Sequence, residues 1–414
     1  MTAHIEDPPL ASPDLIVLIP REAETVPSPD AAPRARDDVA AALPAWLAAR
    51  AVVLAALALG HFLVSSLHVN DNAVTFQLRQ GLFAWDAGFY RGIAAHGYGF
   101  GFVPHEALRF FPLYPLGARG LGVLLGGHSD WALIIIANLG ALVVGALLHR
   151  LVLVEKGDPQ MARRAAWLVA LVPPAYVLVL GYSEALFLVV AIATFLAMRT
   201  GRWWWAAGFG VLAGLTRPIG VLLAVPVAVE AARALRAAPL ASGQQRRWPS
   251  GRAVIPRAAA ILAAPFGTCV FLVWSWFRYG DALLPLHVQE DVRRRGTVVD
   301  PFTALLHEGR GIMHGHHVGS GLHVPWAIAL VVLVVVCFRR WPAAYGAFAA
   351  VMLLAALTSR NLDSLERYAL SAFPFVLTGA SITASVRAER AALVLGVAAM
   401  EGYALLAFLN AVVP

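Results

Sequence analysis

Residues 131–152 read WALIIIANLGALVVGALLHRLV, and the single formal charge in that run is Arg150. About 20 predominantly apolar residues cross the hydrocarbon of a bilayer as a helix, whereas a helix on a soluble domain carries a polar face at every turn. This run has no polar face, so it predicts a membrane span. Runs of the same character recur at about 45–66, 163–181, 183–198, 203–215, 219–235, 255–277, 323–338, 341–358, 367–386 and 391–412. With 131–152 they make about eleven predicted transmembrane helices. The composition agrees: the 414 residues are 59% hydrophobic and 14% charged, with a mean hydropathy of +0.69. Soluble domains hold roughly 45–50% apolar and about 25% charged residues. A soluble domain, a collagen and a disulfide-stapled secreted module are excluded. Cys269 and Cys337 fall inside apolar runs and are expected as buried thiols. The predicted fold is an all-α polytopic membrane protein.

What lies between the runs sets the organisation. Residues 1–43 are polar and broken by Pro8, Pro9, Pro13, Pro20, Pro27, Pro29 and Pro33, which predicts a disordered cytoplasmic tail ahead of a transmembrane domain at 44–414. Segments 203–215 and 219–235 meet at Thr216-Arg217-Pro218, where proline ends the helix, and are read as a re-entrant pair. The net charge is +7, and Lys156 is the only lysine. With the N-terminus in the cytoplasm, 20 of the 32 basic residues fall on the cytoplasmic side, as the positive-inside rule asks. That charge orients a multi-pass protein of the cell membrane and gives no reason to expect a nucleic-acid partner. The other twelve are Arg79, Arg91, Arg109, Arg119, Arg217, Arg278, Arg293, Arg294, Arg295, Arg310, Arg360 and Arg367, all outside. A pocket for a phosphate at the membrane surface would explain them. Two long outer loops result, at about 67–130 and 279–322, and long loops are usually functional. The active site is therefore expected to be extracytoplasmic.

Six segments there can carry chemistry. Trp85-Asp86 opens a short amphipathic stretch running through Tyr90, Arg91, Ile93 and Ala94 to Tyr98, read as an interfacial helix with Trp85, Tyr90 and Tyr98 at headgroup depth. Asp86 either caps that helix or serves as a general base at the membrane face. Arg109-Phe110-Phe111-Pro112-Leu113-Tyr114-Pro115 is an aromatic, proline-stiffened interfacial turn, with Arg109 able to meet an anionic headgroup. Tyr182-Ser183-Glu184 places an acid between two apolar runs, as a helix cap or as a functional group. Arg217, at a helix break in the bilayer, is costly unless paired, and suits a lipid-linked phosphate or a salt bridge to Glu184 or Asp86. Arg278, Asp281, His287 and Gln289 follow the seventh span. Arg367 stands at the start of a later span, placed for a phosphate or for Glu366, or simply snorkelling.

His307, His314, His316, His317 and His323 invite a metal reading, but no cysteine joins them and glycines loosen the stretch, so no metal is assigned. No Walker loop, nucleophile elbow or HExxH is present.

In order along the chain, Trp85-Asp86, Ile93-Ala94, Gly97-Tyr98, Phe110-Phe111-Pro112-Leu113-Tyr114-Pro115, Tyr182-Ser183-Glu184, Leu186-Phe187, Thr216-Arg217, and Arg367-Tyr368 with Pro374 resemble one family. It is the GPI mannosyltransferase II (PIG-V)-like family, here as a bacterial member of the GT-C polytopic glycosyltransferases. The likeness covers roughly 45–390. It implies a GT-C-like membrane domain. It also implies inverting transfer of a sugar, typically mannose, from a polyprenyl-phosphate donor to a lipid, glycan or protein acceptor at the outer membrane face, with Asp86 deprotonating the acceptor hydroxyl. Two departures stand out: Arg109 occupies a position that the family gives to a small residue, and the family's Thr-Arg-Ser-Asn is Thr216-Arg217-Pro218-Ile219 here. A GPI precursor is not implied as the acceptor of a chain that looks bacterial.

The residues suit that chemistry on their own terms. Apolar spans can hold an isoprenoid tail, Arg217, Arg278 and Arg367 can meet its phosphate, and Asp86 can take a proton. Glu184, Arg109, Tyr182, His287 and Gln289 complete the candidate binding set. The alternative is a secondary transporter or flippase of a lipid-linked or anionic substrate. Such a protein tends to repeat internally with paired broken helices, whereas one break and no repeat are found here.

Overall fold

The computed structural model describes residues 34–99, 105–241, 251–290, 295–313, 323–363 and 365–414. The described residues are helical almost throughout. In chain order the helices are α1 (Ala35–Ser66), α2 (Asn72–Gln80), α3 (Asp86–His96), α4 (Leu113–Leu124), α5 (Ser129–Lys156) and α6 (Pro159–Leu171). Next come α7 (Glu184–Arg199), α8 (Trp203–Thr216), α9 (Ala224–Ala241), α10 (Gly251–Tyr279), α11 (Leu284–His287) and α12 (Pro301–Met313). The last are α13 (His323–Arg340), α14 (Ala343–Leu357), α15 (Leu365–Ser371), α16 (Pro374–Ile382) and α17 (Val386–Phe408). The all-α polytopic expectation holds. Among the described residues, six stretches are long and apolar enough to cross a membrane: Ala35–Ser66, Ser129–Lys156, Pro218–Ala237, Gly251–Tyr279, His323–Arg340 and Val386–Phe408.

The other predicted runs became shorter or broken helices. The run at 163–181 splits into α6 and a 3-10 turn at Pro173–Leu178, because two successive prolines remove the N–H groups an α-helix would need. The run at 367–386 splits into α15 and α16 at Pro374 for the same reason. α7 is apolar all round and buried along most of its length, so it needs no lipid to cover it. α1 begins at Ala35, so residues 35–43, expected in the tail, form its first turns. Residues 1–33 lie outside the described part. Cys337 is buried as expected, but Cys269 is exposed on the outer face of α10, since a hydrophobic residue on a lipid-facing helix need not point inward.

α5 packs against α1, α4, α6 and α7, and α17 lies along α1. The closest helix pair is α8 with α10. A Cβ on Gly214 would run into the carbonyl oxygen of Ala264, and one on Gly267 into that of Val211. Without side chains the two backbones touch, a packing mode favoured where lipid removes the hydrophobic drive between helices. Gly214→Ala is therefore expected to destabilise the protein by about 1–3 kcal/mol. Its thermal midpoint in detergent should fall, and an unchanged midpoint would mean that the interface yields.

Charged side chains gather at two levels. At one, Arg199 closes α7, gripping Glu155 at the end of α5 and Glu230 of α9 (2.8 Å to Oε1), while Tyr345 donates to Glu155 at 3.0 Å. Asp38 takes His149 and Arg150 at 2.7 Å each, and Arg164 meets Glu389 at 3.1 Å. The other level lies at the opposite end of α7, where Glu184 begins the helix. Fifteen residue steps separate Glu184 from Arg199, or about 22 Å of helix. α8 runs from Arg202, beside Arg199, to Thr216 at the second level, and α9 returns to Glu230. Arg217 is the apex of that hairpin.

Candidate active site

Asp86 is the first residue of α3, and the turn before it is held from two sides. The backbone N–H of Trp85 donates to Gln77 Oε1 at 3.1 Å, and its indole N–H donates to the Ala407 carbonyl at 2.9 Å. Trp85 has φ +57°, a sparsely populated conformation for a side-chain-bearing residue, kept because both anchors fix it. The Asp86 N–H points to the Tyr182 hydroxyl at 3.3 Å. The carboxylate does not fold back as a cap. It accepts from Arg367 Nη1 at 2.7 Å and faces Arg109 Nη2 at 3.5 Å.

From there the charges continue inward. Arg367 Nε lies 3.3 Å from Glu184 Oε1, which also pairs with Arg217. The salt bridge foreseen for Arg217 is therefore to Glu184. Arg367 pairs with Asp86 and Glu184 rather than with Glu366. Glu184 is 1% exposed and Arg217 7%, so this part of the row is dry. Ser183, whose hydroxyl could have capped α7, instead shares a 2.6 Å hydrogen bond with Tyr90. Aromatic faces seat the cations. Arg109 lies over Phe89 and Phe110 at 4.8 and 4.5 Å, and Arg367 over Tyr182 at 5.5 Å. Arg217 and Arg295 both lie over Tyr368, at 5.7 and 4.6 Å. Burial would push the Asp86 carboxyl up, but Arg367, then Arg109 and Arg217, outweigh it and hold the group below the usual carboxylate range.

The Asp86 side chain borders a cavity of about 760 Å³. Phe76, Phe83, Trp85 and Phe89 give it apolar walls, and Gln77, Gln80, Glu106, Gln289 and Asp363 supply polar groups. Arg91, Arg109, Arg295 and Arg367 make its rim strongly basic. A smaller space of about 50 Å³ opens behind the Asp86–Arg367 pair, between Tyr90, Glu184, Thr216 and Arg217. Arg109, Gln289, Arg367 and Tyr368 border both.

Asp86, Arg109, Tyr182, Glu184, Arg217, Gln289 and Arg367 thus come together. Arg278 and His287 do not: Arg278 is exposed and lies over Tyr279, and His287 is exposed and paired with Asp281 at 3.0 Å. Proximity in sequence to Gln289 was misleading, because α11 and the turn after it carry only Gln289 to the cavity. The aromatic residues of the two interfacial segments pack against other parts of the protein. Tyr90 and Tyr114 are buried against one another, with the Tyr114 hydroxyl donating to Leu133 O at 3.0 Å. Tyr98 donates to Phe110 O at 2.6 Å and packs on Phe271 and Trp274. Each of these hydroxyls thus finds a partner within the protein.

Sequence reasoning did not assign Arg295, Tyr368, Gln77, Gln80, Arg91, Glu106 or Asp363 to the site. Arg295 arrives through a short antiparallel pairing in which Asn361 N–H donates to Arg295 O at 3.0 Å and Val298 bridges Ser359. Its membership of the outer arginine set was the available signal. Of the histidine stretch, His314, His316 and His317 lie outside the described residues. His323 is buried beside Glu308 and Glu366, at 3.6 and 3.8 Å. No group of metal-ligating side chains is found among the described residues.

Residues 50–232 match the family described as Mannosyltransferase (PIG-V). The matched residues, less than half of the chain, are similar to that family. The chain is similar to GPI alpha-1,6-mannosyltransferase 2 of Cricetulus griseus, 32% identical over 30% of this chain and 26% of that protein. With GPI alpha-1,6-mannosyltransferase 2 of Rattus norvegicus it shares 32% identity over 33% of this chain and 29% of that one. The matched stretch thus spans less than a third of these curated relatives' length. The family match contains Asp86, Arg109, Glu184 and Arg217. Gln289, Arg295, Arg367 and Tyr368 come from beyond it, so later helices complete a site that the matched region begins.

Proposed function

We propose that the chain transfers mannose from a polyprenyl-phosphate donor to a hydroxyl of an acceptor at the extracytoplasmic membrane face, with inversion at the sugar carbon. The observation that carries this reading is the Asp86 carboxylate, set on a large cavity directly between Arg109 and Arg367. Asp86 takes the proton of the acceptor hydroxyl as its oxygen bonds to the anomeric carbon. The bond from that carbon to the phosphate oxygen breaks, and the phosphate leaves with the electron pair. Arg217 and Arg367 neutralise the charge that develops there. A phosphate is already a good leaving group, so positioning and charge suffice. Attack by the acceptor opposite the phosphate in a single displacement inverts the centre.

The test is transfer of label from polyprenyl-phosphomannose by the purified chain in lipid nanodiscs. A labelled acceptor lipid or glycan is the expected product, and no transfer with any polyprenyl-linked sugar would overturn the reading. The pH profile carries a further expectation. A base whose pKa lies below the usual carboxylate value of about 4 is ionised, and active, at every pH above it. Activity is lost only as pH falls through that pKa. The value of kcat/KM for the donor, which reports the free enzyme, should therefore stay flat from pH 7 down to about pH 5. A fall centred between pH 6 and 7 would assign the base to a histidine.

A further inference from the structure

Five charged side chains stand in a row of alternating sign: Arg109, Asp86, Arg367, Glu184 and Arg217. Arg367 is the middle cation. Its Nη1 donates to Asp86 Oδ2 at 2.7 Å, and its Nε faces Glu184 at 3.3 Å. That second contact is one of charge alone. Arg367 Nε, Arg217 Nη1 and Glu184 Oε2 are all buried without a hydrogen-bond partner. Both cationic nitrogens face Glu184 Oε1 as ion pairs, so their charge is balanced while their N–H groups stay unbonded, which marks a place where another polar group belongs. All three residues border the smaller space, whose volume of about 50 Å³ exceeds what one water needs.

An anion in that space would meet Arg217 Nη1 and Arg367 Nε at once. A guanidinium grips a phosphate best through two parallel N–H groups, and the Arg367 Nη1 is occupied by Asp86. Asp86, in turn, has one oxygen on Arg367 and the other facing Arg109. A carboxylate so covered offers little to an acceptor hydroxyl. Arg109 lies over two rings, Phe89 and Phe110, whereas Arg367, on the smaller space, lies over Tyr182 alone, which makes Arg367 the cation placed to change partners.

Building on the donor-phosphate reading above, we infer that Asp86 and the donor phosphate compete for Arg367, so that seating the donor draws the guanidinium away and uncovers Asp86 as the proton acceptor. The donor then binds before the acceptor is activated. The buried Glu184 keeps Arg367 charge-balanced while it moves, since Glu184 faces it in either position.

A double-mutant cycle on the full chain in nanodiscs of zwitterionic lipid reads this competition, with labelled polyprenyl phosphate as probe and the uncharged polyprenol as control. Asp86→Asn is expected to tighten polyprenyl phosphate binding about tenfold, within the coupling seen for residues in contact. In an Arg367→Gln background the same change should alter binding less than twofold. Arg367→Lys, which keeps the charge but loses the fork, provides the background if the glutamine variant is not recovered folded. Equal tightening in both backgrounds would mean through-space repulsion between Asp86 and the phosphate, and would overturn the exchange. No tightening in either would overturn it as well. If wild type and variants hold polyprenyl phosphate no better than polyprenol, the donor-phosphate reading itself falls.

Discussion

Asp86→Asn is expected to lower mannosyl transfer by roughly 10²–10⁴-fold, the contribution of a positioned general base, while the protein keeps its fold. Asparagine is nearly isosteric and still fits the turn that Trp85 holds, so α3 should remain in place. It cannot accept the proton of the acceptor hydroxyl. Labelled transfer in nanodiscs, alongside a thermal midpoint, separates lost chemistry from lost structure. Wild-type rates in the variant would remove Asp86 from the role of base. A loss of rate matched by a large fall in midpoint would instead make the Asp86–Arg367 pair structural.

The second large effect is on stability. Arg217→Met leaves Glu184 buried beside an apolar side chain, with Arg367 Nε as its remaining cation. Removing one partner of a buried pair costs about 3–5 kcal/mol, because the other charge stays desolvated. The partner that Glu184 keeps puts this variant toward the lower end. Replacing both, Arg217→Met with Glu184→Leu, should restore much of the loss, since an apolar pair of similar volume is often neutral to stability. Under the proposed function neither variant should transfer sugar at an appreciable rate, because Arg217 would be gone from the proposed phosphate seat. Denaturant unfolding in detergent checks the first expectation and labelled transfer the second. An Arg217→Met variant as stable as wild type would mean that water reaches Glu184.

What could be read from the chain alone follows from the range of the interactions. The α-helical membrane class is written in composition and in runs such as 131–152, which need no partner to be recognised. Asp86, Glu184 and Arg217 were visible because each interrupts apolar sequence, and charge at membrane depth is costly. That Arg217 pairs with Glu184 could be anticipated, as both flank the same helical hairpin. The partner of Asp86 could not, because Arg367 lies 281 residues further on and nothing local distinguishes it from a snorkelling arginine. Gln77 and Gln80 carry no signal at all: an amide in a polar loop is common, and only the curl of α2 over the cavity gives it meaning. The aromatic residues were legible in another way. Trp85, Tyr90, Tyr98 and Tyr114 have the composition of an interfacial belt, but nothing local reveals the tertiary partners that their polar atoms take up. The breaks within runs 163–181 and 367–386 were not read for a related reason, since hydropathy counts side chains while proline acts on the backbone.

The two ionic levels at the ends of α7 have a consequence for the lipid around the protein. The apolar layer between them is about 22 Å thick by helix rise, some 8 Å short of a typical hydrocarbon core of about 30 Å. α7 is buried along most of its length, so lipid meets longer helices such as α1 and α10 instead, and at least one charged level lies beneath the membrane surface, shielded by the protein around it. Under the proposed function, a donor lipid entering the cavity from the side would have to lower its phosphate below the plane of its neighbours while its tail stays among theirs. The thickness of the bilayer would then set how far that phosphate must sink to reach the arginines.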